Sequence, residues 1–189
     1  MRIYLVRHGE TLFNIKGIKQ GWCDSPLTDK GIEQAIQRGK TLENIDFEQA
    51  YSSTSERAVD TLSYILGNRN IPRKQLKSLK EANFGTLEGE SEEYIHKTLG
   101  LTHEDMPKYG GESIEEVENR MISTLNELSL KHSGNVLAVT HGGIMIQLMN
   151  KLFPEEFKNF IGHGHPMPNC CVLVLDVNNK EIQFIERII

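Results

Sequence analysis

The sequence of 189 residues lacks an apolar run of the length that crosses a membrane. A transmembrane helix needs about 20 consecutive apolar residues. The first apolar stretch, Ile3 to Val6, is also far too short for the core of a secretory signal peptide. Internal repeats, low-complexity tracts and linkers are absent as well. These absences predict a cytoplasmic protein that folds as a single domain over residues 1–189.

Cysteine is scarce, with Cys23, Cys170 and Cys171 as the only three. Adjacent cysteines rarely bond to each other, and the odd number leaves one unpaired, so a disulfide framework is not expected. The thiols therefore predict a reducing compartment and a packing role as small side chains.

An excess of positive charge is lacking too, because 21 Lys and Arg face 26 Asp and Glu, which gives a net charge of -5. General nucleic-acid binders usually carry a concentrated basic surface, so this balance argues against that class. The content of 38% hydrophobic and 25% charged residues is typical of a globular domain with an adequate core. The negative net charge does not prevent a local basic pocket from binding a phosphate ester.

An arginine, a histidine and a glycine follow a strand-like stretch near the N-terminus. The run from Arg2 to Val6 is rich in β-branched and aromatic residues, and Gly9 interrupts it, so Arg7 and His8 are predicted at the carboxyl end of a strand. Ligands bind at that edge of open α/β sheets. A neutral histidine can act as a nucleophile, and a guanidinium can hold a phosphate by two parallel hydrogen bonds. Taken alone, such a tripeptide is more typical of a strand cap and a surface charge.

A second histidine follows a second predicted strand, Asn135 to Thr140. His141 stands at its end, and Gly142 leads into an apolar helical stretch from Ile144 to Phe153. At such a junction a histidine can hydrogen-bond a phosphoryl oxygen, and the glycine lets the backbone approach closely. A histidine bound to a backbone carbonyl is the alternative for this segment.

Two further charged residues stand at distant positions. Ser53 and Glu56 have the spacing of a capping box, which predicts a helix with Arg57 in its first turn, where an anion is favoured. Glu81 could be held protonated by burial and donate that proton to a leaving alkoxide. In isolation, these residues would be an exposed helix arginine and a solvated loop carboxylate.

Together these segments resemble the histidine phosphatase superfamily, the phosphoglycerate mutase-like group. The resemblance covers most of the chain in the expected order. Its opening block is formed by Arg7-His8-Gly9-Glu10-Thr11, Asn14, Gln20-Gly21-Trp22, Asp24-Ser25-Pro26-Leu27-Thr28, Gly31 and Gln34-Ala35, and independent matches follow at Arg57, Glu81 and His141.

The resemblance implies a role for each of these site residues. His8 would be the nucleophile that becomes phosphorylated, and Glu81 the proton donor. The phosphoryl oxygens would be bound by Arg7, Arg57 and His141. The pocket or the substrate would be contacted by Asn14, Gln20, Gly21 and Gly142. Two arginines and a second histidine would stabilise the negative charge on the oxygens of the transferred phosphoryl group, so neither a metal nor a cofactor is expected.

The chain departs from the family pattern at Thr54-Ser55-Glu56, where many members have a proline or aspartate followed by leucine. Arg57 nevertheless stays in register. The cofactor-dependent mutases of the family carry a longer middle insertion with further basic residues, for which 189 residues leave no room. The resemblance therefore favours a phosphatase over a mutase.

Alternating strand and helix signals predict an α/β fold, a three-layer sandwich with a mixed, mostly parallel sheet and helices on both faces. Thr28 is expected to cap one helix, and a capping box at Ser113 is expected to begin another whose apolar stripe is core. The strands Cys171 to Val177 and Glu181 to Ile188, joined by Asn178-Asn179, predict a C-terminal β-hairpin.

Two segments have weaker patterns. Residues 90–111 are polar, and the resemblance implies an excursion that covers the pocket and selects the substrate, with an inert solvated loop as the alternative. The run Gly162-His163-Gly164-His165 is similar to metal-binding sequence, but no cysteine or carboxylate completes a ligand spacing. A loop is favoured there, and no metal site is predicted.

These observations predict a phosphoric monoester hydrolase that acts on a small phosphate ester through a phosphohistidine. The alternatives are a phosphoglycerate mutase-type phosphotransferase and a non-catalytic regulator that binds phosphorylated ligands. The joint presence of His8 and Glu81 argues against the regulator, because binding alone needs neither a nucleophile nor an acid. The expected partner is a small-molecule phosphate ester, with neither nucleic acid nor membrane, and a homo-oligomer is left open.

Overall fold

The computed structural model describes residues 1–162 and 164–189. Its six strands are β1 (Arg2–Arg7), β2 (Phe47–Ser52), β3 (Arg73–Gln75), β4 (Asn135–Thr140), β5 (Val172–Asn178) and β6 (Glu181–Ile188). Its α-helices are α1 (Leu12–Lys16), α2 (Asp29–Thr41), α3 (Glu56–Leu66), α4 (Ile114–Ser129), α5 (Gly142–Leu152) and α6 (Pro154–Lys158). Single turns of 3₁₀-helix (Lys77–Leu79, Gly85–Leu87), a longer one (His103–Tyr109) and a π-helical turn (Tyr94–Thr98) lie between them. None of the helices in the described ranges is long and apolar enough to cross a membrane.

All six strands form one mixed sheet in the order β3-β2-β4-β1-β5-β6. The pairs β3–β2, β2–β4 and β4–β1 are parallel, whereas the pairs β1–β5 and β5–β6 are antiparallel. The predicted three-layer α/β architecture, with helices on both faces and a C-terminal hairpin, is therefore confirmed.

The two faces of the sheet bury separate apolar clusters. Ile3 and Leu5 of β1 pack in the cluster that contains α4 and α5, whereas Tyr4 and Val6 pack in the cluster that contains α2 and α3. Full burial of a side chain such as Leu5 contributes roughly 1.5–3 kcal/mol. Because both faces are covered, the strand reads as a continuous apolar run rather than as an alternating one.

The predicted helix starts are confirmed at two positions. The Oγ1 atom of Thr28 accepts a hydrogen bond from the amide of Gly31 at the start of α2. Ser113 and Glu116 form the expected reciprocal capping box at α4. Caps of this kind each stabilise a helix by about 0.5–2 kcal/mol.

The predicted capping box at Ser53 and Glu56 is wrong, although α3 does begin at Glu56. The N-cap residue is Ser55, whose side chain makes no capping hydrogen bond. The Ser53 hydroxyl instead accepts from the Ser55 amide, because Ser53 lies two residues before the cap. The amide of Glu56 is satisfied by the carboxylate of Asp24, which is distant in sequence.

The hairpin turn lies one residue later than the sequence predicts. Asn178 still belongs to β5 and pairs with Glu181, and Asn179 and Lys180 form the turn with φ angles of 50° and 68°. Two consecutive positive φ angles are typical of the type I′ turn, whose twist matches that of the flanking strands.

The register of the sheet brings the functional segments together. Arg7 lies opposite Thr140 in the parallel β1–β4 pair, and Ser52 lies opposite Val139 in the β2–β4 pair. Residues that follow these three strands therefore meet at one edge of the sheet.

Candidate active site

His8 emerges from β1 beside His141, with the ring centroids 5.3 Å apart. Its Nδ1 lies 2.7 Å from the carbonyl oxygen of Gly9. A carbonyl oxygen only accepts, so Nδ1 carries the proton and Nε2 keeps its lone pair. Burial, and then the charges of Arg57 and Arg7, hold the pKa of His8 well below its usual value. The ring is therefore neutral with a free nitrogen, which is the state that a nucleophile needs.

Three buried nitrogen atoms at this site have no hydrogen-bond partner among the described residues, namely Nε of Arg7, Nε of Arg57 and Nδ1 of His141. Buried polar atoms are nearly always bonded, and each orphan costs about 1–3 kcal/mol. Only two further side-chain atoms of the described residues share this condition. This concentration of donors is typical of a site for a ligand with several acceptor oxygens.

His141 is hydrogen-bonded to Ser53, whose hydroxyl lies 2.8 Å from its Nε2 atom. The hydroxyl also accepts from the Ser55 amide, and its second lone pair and its proton allow it either to accept from Nε2 or to donate to it. When it donates, the unpartnered Nδ1 carries the ring proton and can act as a donor. Burial, and then the charge of Arg57, lowers the pKa of His141 well below its usual value, so the ring is neutral.

Arg7 is fixed by the segment that precedes β5. Its Nη1 donates to the carbonyl of Met167 and lies 3.5 Å from Nδ1 of His165. A Cβ atom on Gly142 would come within 3.0 Å of the Arg7 Nε atom. Glycine at this position therefore gives the guanidinium room beside the first turn of α5.

Arg57 is completely buried and faces a loop rather than the open cavity. Its Nη1 donates to the Cys23 carbonyl at 3.0 Å and to the Asp24 carboxylate at 2.9 Å, and its Nη2 donates to the Gly21 carbonyl at 2.8 Å. Neither Arg57 nor His141 has exposed surface. Arg57 therefore does not line the cavity in this structure, and its observed contribution is a positive charge that lowers the pKa of His8.

The loop that holds Arg57 is organised by Glu88, to which sequence reasoning assigned no role. The Glu88 carboxylate accepts four backbone amides, from Gly21, Trp22, Cys23 and Phe84. A Cβ atom on Gly21 would lie 2.4 Å from the Glu88 Oε1 atom. Gly21 is thus needed for a close approach within the loop, and this is its observed role at the site.

Glu81 is buried, lines the cavity and caps α5. Its Oε2 accepts from the Gly143 amide at 2.8 Å, and its Oε1 accepts from the amides of Ile144 at 2.8 Å and Ala82 at 3.0 Å. Glu81 is thus buried among hydrogen-bond donors, and its role as a proton donor stays a prediction. Because Oε1 already accepts two hydrogen bonds, Oε2 is the oxygen with a remaining lone pair.

Asn14 and Gln20 both line the cavity, as the sequence predicts. Asn169 connects Asn14 to His8, because its Nδ2 donates to the His8 carbonyl at 3.0 Å and to Oδ1 of Asn14 at 3.2 Å. Gln20 accepts from the hydroxyl of Thr11 at 2.8 Å. Sequence reasoning missed Asn169, which stands just before β5, the strand next to β1.

The cavity beside His8 has a volume of about 180 Å³. Its walls are also formed by Ile18, Lys19, Phe84, Glu92, His103, Ile146 and His165. Glu92 and His103 belong to the segment 90–111, so part of that segment does reach the cavity. Selection of the substrate by this segment stays a prediction.

Within the described ranges, no group of three or more His, Cys, Asp or Glu residues could hold a metal ion. Of the histidine pair in the run Gly162 to His165, His163 lies outside the described residues. His165 uses Nδ1 to accept from the amide of Met167 and lies beside Arg7.

Comparison with known proteins places these features in context. A family model described as histidine phosphatase superfamily (branch 1) matches residues 3–187. A 2,3-bisphosphoglycerate-dependent phosphoglycerate mutase of Cytophaga hutchinsonii is 33% identical over 170 residues, which are 82% of this chain and 79% of that protein. The adenosylcobalamin/alpha-ribazole phosphatase of Escherichia coli is 31% identical over 198 residues, covering 95% and 92%. The solved structure of Bacillus stearothermophilus YhfR matches with a TM-score of 0.84 and 30% identity, covering 97% of this chain and 94% of that one.

Proposed function

The chain belongs to the histidine phosphatase superfamily, and from this premise we propose that it hydrolyses a small phosphate monoester through a phosphohistidine at His8. The observation that carries the proposal is the neutral His8 ring beside three unpartnered buried nitrogens. Phosphoryl transfer is catalysed mainly by positioning and by stabilising charge on the phosphoryl oxygens. The site offers both without a metal ion.

In the first half-reaction, Nε2 of His8 attacks phosphorus as the bond from phosphorus to the ester oxygen breaks. The phosphoryl oxygens accept hydrogen bonds from Arg7, which lines the cavity, and from Arg57 and His141, which are fully buried in this structure and must become accessible when the substrate binds. Glu81 donates a proton from Oε2 to the departing alkoxide. The products are the free alcohol, a phosphorylated His8 and an ionised Glu81.

In the second half-reaction, a water molecule attacks phosphorus, and the bond from phosphorus to His8 breaks. The Glu81 carboxylate takes a proton from this water, so the residue returns to its starting state. Inorganic phosphate leaves, and His8 is again neutral. Splitting one displacement into two easier steps is the general advantage of covalent catalysis.

Trapping the phosphoenzyme tests the proposal. Rapid quenching without acid, followed by mass spectrometry, should locate phosphate on His8 during turnover of p-nitrophenyl phosphate. His8→Ala should abolish turnover, whereas His96→Ala, a change of an exposed histidine, should not. Phosphate on another residue, or wild-type turnover by His8→Ala, would contradict the mechanism.

A mutase is the second candidate, favoured by the similarity to the Cytophaga hutchinsonii mutase. A mutase must keep water away from its phosphoenzyme while the acceptor reorients, which needs further contacts to the acceptor. The segment between Phe84 and Gly111 supplies only Lys97 and Lys108 besides histidines, so water is the acceptor in our proposal.

The enzyme should be incubated with 3-phosphoglycerate, with and without 2,3-bisphosphoglycerate, while 2-phosphoglycerate and inorganic phosphate are followed. The phosphatase releases phosphate and needs no bisphosphorylated primer. Isomerisation much faster than phosphate release would establish the mutase instead.

A further inference from the structure

Lys19 places a positive charge in the wall of the cavity that His8 also lines. Its side chain is only 9% exposed. Its Nζ lies 3.4 Å from Nε2 of His103 and 4.8 Å from the centre of the Phe84 ring. Lysine is rarely buried to this extent unless it is paired with an opposite charge. We therefore ask which groups near this ammonium group could balance its charge.

His103 does not neutralise Lys19. An ammonium group can only donate, so His103 accepts at Nε2 and carries its own proton on Nδ1. Burial, followed by the charge of Lys19, lowers the pKa of His103 to about 4. At neutral pH the lysine thus faces an uncharged ring.

The only carboxylate that pairs with Lys19 within the described ranges is Glu92, and this pairing is loose. The Nζ atom lies 3.9 Å from Oε1 of Glu92, which is longer than a hydrogen bond. The Glu92 side chain is 55% exposed, so solvent screens its charge. Of the three ammonium donors of Lys19, one is used by His103 and the others remain for a ligand.

We propose that Lys19 selects phosphate esters whose leaving group carries a carboxylate. The inference rests on the proposed function, because it places the phosphoryl group of the same molecule at His8. Lys19 and His8 line one cavity of about 180 Å³. Sites for drug-sized ligands have volumes of about 300–1,000 Å³, so a short ester is the better fit. A carboxylate is the smallest common organic anion that such an ester can direct at Lys19.

Glu92 acts against this selection. A substrate carboxylate near Lys19 also meets the negative charge of Glu92, whereas a substrate ammonium group would be attracted to it. Lys19 and Glu92 therefore have opposite effects on the preference for an anionic leaving group. A role of Lys19 in packing alone would alter all substrates alike.

The test uses three two-carbon esters that differ in the charge of one group, namely 2-phosphoglycolate, 2-hydroxyethyl phosphate and 2-aminoethyl phosphate. For the wild type, kcat/KM should fall in this order, with roughly a tenfold or larger preference for the carboxylate over the hydroxyl ester, as expected for a hydrogen bond to a charged group. Lys19→Met should move this ratio toward one, and Lys19→Arg should retain most of it. Glu92→Gln should raise the ratio.

Lys97→Met is the matched control, because Lys97 lies in the same segment as Glu92 but is 78% exposed and pairs with Glu93. It should leave the ratio unchanged. An equal kcat/KM for the three esters, or an unaltered ratio in Lys19→Met, would overturn the proposal while leaving the phosphatase intact. If Lys19→Met does not fold, Glu92→Gln tests the proposal instead. A carboxylate-to-hydroxyl ratio of kcat/KM that is unaltered or lowered in Glu92→Gln contradicts the proposal. Failure of the wild type to hydrolyse even p-nitrophenyl phosphate would instead overturn the proposed function.

Discussion

Arg120 and Glu112 form a two-bond ion pair that supports the backbone around Glu81. Arg120 Nε and Nη2 donate to the two carboxylate oxygens of Glu112 at 2.8 and 2.9 Å. Arg120 Nη1 donates to the carbonyls of Ser78 and Lys80, both at 2.8 Å. The ion pair therefore holds the chain immediately before Glu81, and neither of its residues lines the cavity.

Replacing Arg120 should therefore displace Glu81. Arg120→Met is expected to lower kcat/KM for an alkyl phosphate roughly tenfold or more, and to affect p-nitrophenyl phosphate less, because a shift of about 1 Å in a reacting group can cost about a hundredfold. Arg69→Met is the matched control, since Arg69 also donates to two carbonyls, those of Leu42 and Ile45. Equal losses on both esters would show that Arg120 acts only through stability.

Glu81→Gln should damage hydrolysis of alkyl phosphates by about 10²- to 10⁴-fold, the usual contribution of a general acid. Hydrolysis of p-nitrophenyl phosphate should suffer much less, because its leaving group departs without a proton. Steady-state kcat/KM on the two esters measures the difference, because it reports the transfer to His8 and not the later hydrolysis of the phosphoenzyme, which both esters share. Glu155→Gln, which removes an exposed carboxylate, should change neither rate. A uniform loss in Glu81→Gln would remove Glu81 from the role of acid.

Arg57→Met should lower kcat/KM by roughly a hundredfold or more, since it removes a preorganised donor and its charge. It should also change the pH profile. The charge of Arg57 is one cause of the lowered pKa of His8, so its removal raises that pKa, and the neutral nucleophile is lost at a higher pH. The acidic limb of kcat/KM for p-nitrophenyl phosphate should move upward. If Arg57→Met loses much of its activity but the acidic limb of its pH profile does not move, Arg57 binds the substrate without lowering the pKa of His8.

His103 should make the protein less stable in acid. Its pKa is about 4 in the folded protein, compared with an ordinary value of 6.5. Between these values the unfolded chain binds more protons, so the free energy of unfolding falls as the pH is lowered from 6.5 to 4 and is unaffected by His103 above 6.5. The loss from this residue amounts to about 3 kcal/mol at most.

Urea unfolding of the wild type and His103→Gln at pH 7 and at pH 4.5 measures this effect. The variant should lose less stability between the two pH values than the wild type, because glutamine has no proton to gain. His96→Gln, a change of an exposed histidine in the same segment, should lose as much as the wild type. An identical loss in His103→Gln would show that His103 is not buried as described.

Several features of the site could be predicted from the sequence because they depend on neighbours along the chain. A short apolar run followed by a histidine and a glycine indicates where a strand ends. This pattern placed His8 and His141 correctly, directly after β1 and β4. Thr28 and Ser113 cap helices through amides three residues away, so their spacing alone revealed them. The same local reasoning failed at Ser53. Its spacing to Glu56 is that of a capping box, but the helix is capped two residues later, at Ser55.

The remaining features were decided by partners far away in sequence. Glu88 accepts a hydrogen bond from the amide of Gly21, which is 67 residues away in the sequence. Asn169 donates to the carbonyl of His8, which is 161 residues away. Only the order and register of the strands bring such groups together. The sequence by itself determined which residue types could transfer a phosphoryl group and at which strand ends they stand. Tertiary structure alone decided that Arg57 faces a loop, that Glu81 accepts three amides and that Lys19 is buried, because hydrogen bonds and burial depend on what packs nearby in space.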